Sequence, residues 1–422
     1  MKSENVTNIL IYTAVIFFPF QFLAIRFFSS AYDITSLLII MAVFVLMLSK
    51  IKINYKIIIW ISIFVIMESV IVIYFNIGPY YRFLSGVVWL TSLLAIILYG
   101  DKDYDYSQKV ISYIILFLLF FSSIYMFYEY YFIITPEIYS QFIEGRPTKF
   151  YLLRPKAGFQ EPSYAALALF SSASAIVSTL ILSRLSHRNI VYLLILLIIF
   201  SGAAFLARSM HIATFIITVS IVISIWLTYK LSIFKIFIFL GILFSILLLG
   251  IFLLSFPHYY DRVNIFVDPL AMTNPSLLSW LRGFDQVLAV MNSSPLTGFG
   301  IGSTGYFEFE SLYGERLAYY RIYDLTLKDA FSLLWRLLIE IGIIPVILFS
   351  IFMIYKLSHF RKYLINKSDL SINNKYIIFN FTFALALIIG CLIKEPNYAR
   401  STLFIGIFLI ASIPLNKKTN DN

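Results

Sequence analysis

The sequence predicts an all-α polytopic membrane protein, a bundle of about twelve transmembrane helices carrying a large external loop. Three observations predict it. Apolar residues make up 60% of the 422 positions, only 13% are charged, and the mean hydropathy is +0.88. Soluble domains carry about 25% charged residues. Apolar stretches near spanning length recur along almost the whole chain; a span needs about 20 such residues, because in lipid every backbone N–H and C=O must be paired within the segment. The connectors between these stretches alternate in character along the chain, with short basic ones recurring after every second stretch.

Taken in order, the candidate spans are 9–28, 34–48, 57–75, 83–99, 110–134, 164–183, 190–206, 211–229, 233–255, 333–355, 376–393 and 402–413. The second and last are short for a full crossing. No small-residue cleavage site follows the first apolar run, so it reads as a retained span. Lys50, Lys52 and Lys56, then Lys102 and Lys109, Arg184 and Arg188, Lys230 and Lys235, the cluster from Lys356 to Lys375, and Lys417 and Lys418 all fall on one side. The positive-inside rule makes that side cytoplasmic and places both termini there. The chain thus reads as one membrane domain over 1–422, with external connectors at 135–163 and 256–332.

Composition also excludes classes. The one cysteine, Cys391, leaves no intrachain disulfide and no cysteine-pair metal spacing. The net charge of +10 is dispersed between spans and forms no compact basic domain, which argues against nucleic acid as a partner. No metal and no cofactor is expected. The two long external connectors are nevertheless basic: Arg146, Lys149, Arg154 and Lys156 in the first, and Arg262, Arg282, Arg316, Arg321 and Lys328 in the second. Either they are simply solvated or an anionic ligand is handled on the outer face.

Four segments carry the candidate chemistry. Arg154-Pro155-Lys156 and Glu161-Pro162-Ser163 close the first loop and enter a span. Arg supplies a planar fork for phosphate oxygens and Lys a mobile charge. Glu161 reads as a base or as the partner of those cations. Ala207-Arg208-Ser209-Met210-His211 is a very short outer turn, with Arg208 held at the mouth of a helix pair. In the large loop, Trp280-Leu281-Arg282-Gly283-Phe284-Asp285 precedes Gly298, Gly300 and Gly302. No strand precedes these glycines, so a dinucleotide loop is rejected and a turn packing the loop on the bundle remains. Last, Asp329 leads into a span bearing Arg336 and Glu340, which share a helix face at i, i+4. Glu68 and Lys394-Glu395 are further charges that read equally well as structural ion pairs.

The segments RPKAGFQEPSYAA, LARS, LRGFDQVLAVMNSSPLTGFGIGS and SLLWRLLIEIGIIP, in this order over about 150–345, resemble the O-antigen polymerase and ligase superfamily of bacterial envelope glycan assembly. The resemblance implies a C-type glycosyltransferase-like bundle in the bacterial inner (cytoplasmic) membrane. It implies an external active face, undecaprenyl-diphosphate-linked oligosaccharide as substrate, and no divalent metal. Arg154, Lys156, Arg208, Arg282 and Arg336 would then meet the diphosphate, and Glu161 and Asp329 are the candidate catalytic carboxylates. Partners implied are membrane lipids, a chain-length regulator and a flippase. Ligases resembling this family carry a His-Asn pair where this chain reads Asp329-Ala330-Phe331-Ser332, which favours a repeat-unit polymerase over a lipid A-core ligase. A lipid-linked oligosaccharide flippase is the rival from another class, although no duplicated halves are seen. A peptidoglycan-type polymerase stays open through Asp268, Asp285, Asp324 and Asp329.

Overall fold

The computed structural model describes residues 3–20, 24–27, 30–49, 55–99, 107–135, 154–157, 159, 161–183, 185–207, 209, 211–227, 275–325, 327–366, 374–395 and 401–413. The span expected at 233–255 and Arg208 lie outside them. Apart from one short hairpin the described chain is helical. Six helices are long and apolar enough to cross a membrane, and five shorter apolar helices accompany them. Large apolar side chains such as Ile73, Phe132, Ile198 and Ile354 face outward, as a membrane protein's surface in lipid requires.

The first expected span, 9–28, is not one helix. Helix α1 runs Ser3–Phe17 and stops before Pro19, which disfavours helical geometry in the residue before it. An antiparallel hairpin follows, β1 (Ala24–Phe27) with β2 (Ser30–Asp33). Asp33 then ends the hairpin and starts α2 (Ile34–Ser49). Its Oδ1 accepts from Ser36 N at 2.9 Å and Ser36 Oγ at 2.7 Å, while Oδ2 accepts from Ser401 N at 2.7 Å. One buried carboxylate thus satisfies amide donors at the starts of two helices 368 residues apart in sequence.

Next come α3 (Tyr55–Phe75), α4 (Tyr80–Tyr99) and α5 (Gln108–Tyr128), the last running into a π-helical turn, Glu129–Ile134. Helices α6 (Pro162–Leu182), α7 (His187–Leu206) and α8 (Ile212–Leu227) follow. The loop helices α9 (Pro275–Ser293) and α10 (Leu312–Tyr319) come after them. The chain closes with α11 (Leu333–Ile341), α12 (Ile343–Asn366), α13 (Asn374–Ile393) and α14 (Ser401–Ser412).

Helices α6 and α13 form the centre, about four-fifths buried along their apolar stretches, whereas α12 and α7 at the periphery are mostly exposed. The α6 sequence explains its place. Ala165, Ala166, Ala168, Ser171, Ser172, Ala173, Ser174, Ala175 and Ser178 are all buried, and small side chains let helix backbones approach closely where lipid offers no hydrophobic drive. At one end of the bundle Asn380 on α13 donates to Gln108 O at 2.9 Å, and Lys356 on α12 donates to Ala411 O at 3.0 Å.

The expected span 333–355 is broken at Gly342, which has φ 74 and ψ −168. A Cβ there would lie 2.4 Å from Leu296 O, so only glycine lets the loop come this near. The loop uses the approach to cap α11: Phe299 N donates to Ile339 O, and Gly300 N to Glu340 O, both at 2.9 Å. The glycine-rich segment is therefore a helix-capping turn that fastens the loop to the bundle.

Candidate functional site

The motifs singled out from sequence gather at the other end of the bundle, in two adjoining groups. The first is built on the segment entering α6. Glu129, at the start of the π-helical turn, accepts from Lys156 N at 3.0 Å and Ala157 N at 3.1 Å through Oε2. Ala157 takes φ 45, and Phe159 is buried edge-on against Phe18 at 5.9 Å between ring centroids. With the backbone pinned in this way, the Lys156 side chain is left exposed. Glu161 is extended at the N-cap position of α6, exposed, and accepts from Ser163 Oγ at 3.3 Å.

Arg154 reaches away from this strip to the short turn between α7 and α8, where Nη1 donates to Ala207 O at 3.4 Å. Two residues from the far end of α13 hold the same turn. Lys394 Nζ donates to Ser209 Oγ at 3.4 Å, and Glu395 Oε1 lies 3.2 Å from His211 Nε2. Both His211 and Glu395 are buried, and the second ring nitrogen of His211 lies 3.4 Å from Thr214 Oγ1. The turn that carries Arg208 in sequence is thus fixed on both sides of that position by two separate segments.

The second group centres on Asp329. Its Oδ1 lies 3.4 Å from Arg82 Nη2 and 3.5 Å from Arg336 Nη1. Arg336 also bonds Glu340 through Nε at 3.0 Å, and Thr304 Oγ1 donates to the same Glu340 oxygen at 2.8 Å. The backbone beyond Asp329 is strained: Ala330 and Phe331 have φ of 52 and 63, a region that costs non-glycine residues roughly 1–2 kcal/mol each. Ser332 holds the strained pair in place, capping α11 at Trp335 N and donating to Leu392 O at 2.6 Å. Phe331 then lies beneath Lys394, 5.9 Å from ring centroid to Nζ, and joins the two groups.

Arg282 belongs to neither group. It is fully buried in α9, where its guanidinium donates to Tyr323 O and, at 2.5 Å, to Leu325 O, and it sits over the Tyr323 ring. Burial pushes its pKa down, opposed by Tyr323 and Asp324. In this arrangement it holds the loop together. Neighbouring Asp285 is pushed up by burial, against the Ser311 hydroxyl that donates to it at 2.5 Å.

Of the expected residues, then, the fold brings Arg154 to the turn between α7 and α8, leaves the Lys156 and Glu161 side chains exposed, and couples Asp329 to Arg336. Arg82 and Glu129 were not singled out from sequence. An arginine in the first turn of one span and a lone acid at the end of an aromatic-rich one are visible in the sequence, but their partners are 247 and 27 residues away. His211 and Glu395, each legible as a structural residue, turn out to be one pair. No family model and no curated protein matches the chain.

Proposed function

We propose that this chain is a membrane glycosyltransferase that joins undecaprenyl-diphosphate-linked oligosaccharide repeat units into a surface polysaccharide, releasing undecaprenyl diphosphate at the external face of the cytoplasmic membrane. One observation carries the reading. Arg154 and Lys394, from two separate segments, both bond the short turn between α7 and α8, and the exposed Lys156 and Glu161 lie two and seven residues after Arg154 in the sequence.

In this reading the acceptor hydroxyl attacks the anomeric carbon of the donor sugar. A new C–O bond forms as the anomeric carbon–phosphate oxygen bond breaks, the electron pair leaves with the diphosphate, and the hydroxyl proton passes to Glu161. Negative charge accumulates on the departing diphosphate, so fixed cations stabilise the transition state more than the ground state. Lys156 is placed to meet that charge directly. Arg154, through Ala207, also fixes the turn between α7 and α8. Asp329, tied to two guanidinium groups, orients Arg82 and Arg336, which leaves Glu161 as the better placed proton acceptor.

The test is reconstitution of the purified protein in liposomes with lipid-diphosphate-linked oligosaccharide, with a chelator present throughout. A ladder of lengthened glycans and stoichiometric release of polyprenyl diphosphate are expected. Movement of the lipid-linked oligosaccharide across the bilayer with no new glycosidic bond refutes the proposal, as does a strict requirement for magnesium or manganese.

A further inference from the structure

The end of the bundle opposite the loop carries a cluster that the proposed reaction does not use. Helices α5 and α13 are clamped together there by the buried Asn380. Its Nδ2 donates to Gln108 O at 2.9 Å and to Gln108 Oε1 at 2.6 Å, and its Oδ1 accepts from Ser112 Oγ at 3.0 Å. Tyr113 follows Ser112, and Tyr376 stands one helical turn before Asn380, so the clamp sets the spacing of these two tyrosines. Their hydroxyls are hydrogen bonded at 2.9 Å, and their ring centroids lie 5.6 Å apart.

Each tyrosine carries a lysine over its ring. Lys109 Nζ lies 5.9 Å from the Tyr113 centroid, and Lys375 Nζ lies 5.0 Å from the Tyr376 centroid. Among the described residues neither ammonium group has a carboxylate partner. The phenol pair is only partly used as well: whichever hydroxyl donates, the other keeps its own O–H, and no described residue accepts it. Two positive charges and a spare donor, held on two clamped helices, are what a phosphate oxygen needs as partners.

The face of α5 below this cluster separates a lipid phosphate from a dissolved one. Lys109, Tyr113, Phe117 and Phe121 recur at four-residue intervals, which places them on one side of the helix, and all four are exposed. Phe117 and Phe121 pack edge to face with centroids 4.7 Å apart. From Lys109 to Phe121 the helix rises about 18 Å, close to the depth of one leaflet. From the helix start inward this face therefore presents an ammonium group, a phenol and two apolar rings. A phospholipid lying along it presents its phosphate, its glycerol esters and its acyl chain at the same depths.

We infer that Lys109, Tyr113, Lys375 and Tyr376 form a binding site for the headgroup of an anionic glycerophospholipid, with an acyl chain lying along Phe117 and Phe121. The two ammonium groups engage the phosphate, and the spare phenol O–H donates to a phosphate or ester oxygen. The positive-inside rule makes this the cytoplasmic leaflet, whose anionic lipids attract basic groups at helix ends. A lipid seated here braces the central helix α13 against α5. The site is independent of the proposed glycan transfer and stands whether or not the chain is a transferase.

Native mass spectrometry of the full-length protein, titrated with phosphatidylglycerol or with phosphatidylcholine of the same acyl chains, tests this. The wild type should hold one phosphatidylglycerol at least about tenfold more tightly than phosphatidylcholine. A lysine at the membrane surface is worth a factor of about five toward an anionic lipid, so Lys109→Ala and Lys375→Ala should each weaken that binding about fivefold. Tyr113→Phe combined with Tyr376→Phe leaves the charge unchanged and should also weaken it about fivefold, through the lost donor. Lys362→Ala, which removes an exposed lysine on α12 with no described ring contact, should leave it unchanged. Equal retention of the two lipids overturns the proposal. So does a double phenylalanine variant that binds like the wild type, or a Lys362→Ala loss equal to that of Lys109→Ala, either of which would mean a diffuse basic rim. Displacement of the lipid by millimolar inorganic phosphate overturns it too, by assigning the site to a dissolved anion. Lys109 is exposed, so the comparison with Lys362 keeps the proposal falsifiable if the double phenylalanine variant does not assemble.

Discussion

Arg282 offers the sharpest separation between a residue that grips a ligand and one that holds a loop. Its guanidinium bridges Tyr323 O and Leu325 O from within α9 and sits 5.5 Å from the Tyr323 ring centroid. Hydrogen bonds to a charged group contribute about 1.5–3 kcal/mol each, and a cation–π contact about 1. Arg282→Lys keeps the charge but reaches only one carbonyl, a loss of about 1.5–3 kcal/mol. Arg282→Ala loses both bonds and the ring contact, about 3–5 kcal/mol after allowing for non-additivity. At about 1.4 kcal/mol per tenfold, local opening of residues 275–325 should rise at least tenfold in the lysine variant and on the order of a hundredfold or more in the alanine variant. Amide exchange across α9 and α10 reads this directly, and limited proteolysis supports it. Wild-type exchange in Arg282→Ala, combined with loss of glycan transfer, would refute the loop-holding role and return Arg282 to the ligand.

Three further outcomes follow from the same geometry. Arg154→Lys should already impair transfer and Arg154→Ala should cost about two to three orders of magnitude in rate, because Lys cannot reproduce the planar fork; Arg188→Ala, an exposed residue at the far end of the bundle, is the matched control and should leave transfer unchanged. Glu161→Gln should reduce kcat by at least about a hundredfold with thermal stability within about 0.5 kcal/mol of wild type, since the side chain is exposed, and a preserved kcat would remove it as the base. Asp33→Ala should destabilise the protein by about 2–4 kcal/mol, one helix start at α2 and one at α14 losing acceptors together, while Asp33→Asn, which keeps one acceptor oxygen, should cost about half as much in equilibrium unfolding.

The sequence by itself determined the class of this protein and most of its helices. Apolar stretches of spanning length are a local property, set by the need to pair every backbone group within the segment, so α3 to α8 and α13 fall close to where hydropathy places them. The candidate carboxylates Glu161 and Asp329 stand where the sequence puts them, just before helix starts. Hydropathy misled where the local chain had a reason to stop: Pro19 ends α1 early, and Gly342 splits an apolar run because the loop must come within contact of its backbone. Only the tertiary structure decided which charges meet. Asp33 finds Ser401, Arg82 finds Asp329, and His211 finds Glu395 across separations of 184 to 368 residues, and no periodicity records such a partner. It also decided that Arg282, outwardly a twin of Arg154 in the sequence, is buried under its own loop, because α9 places its guanidinium where it can donate to the carbonyls of residues 323 and 325.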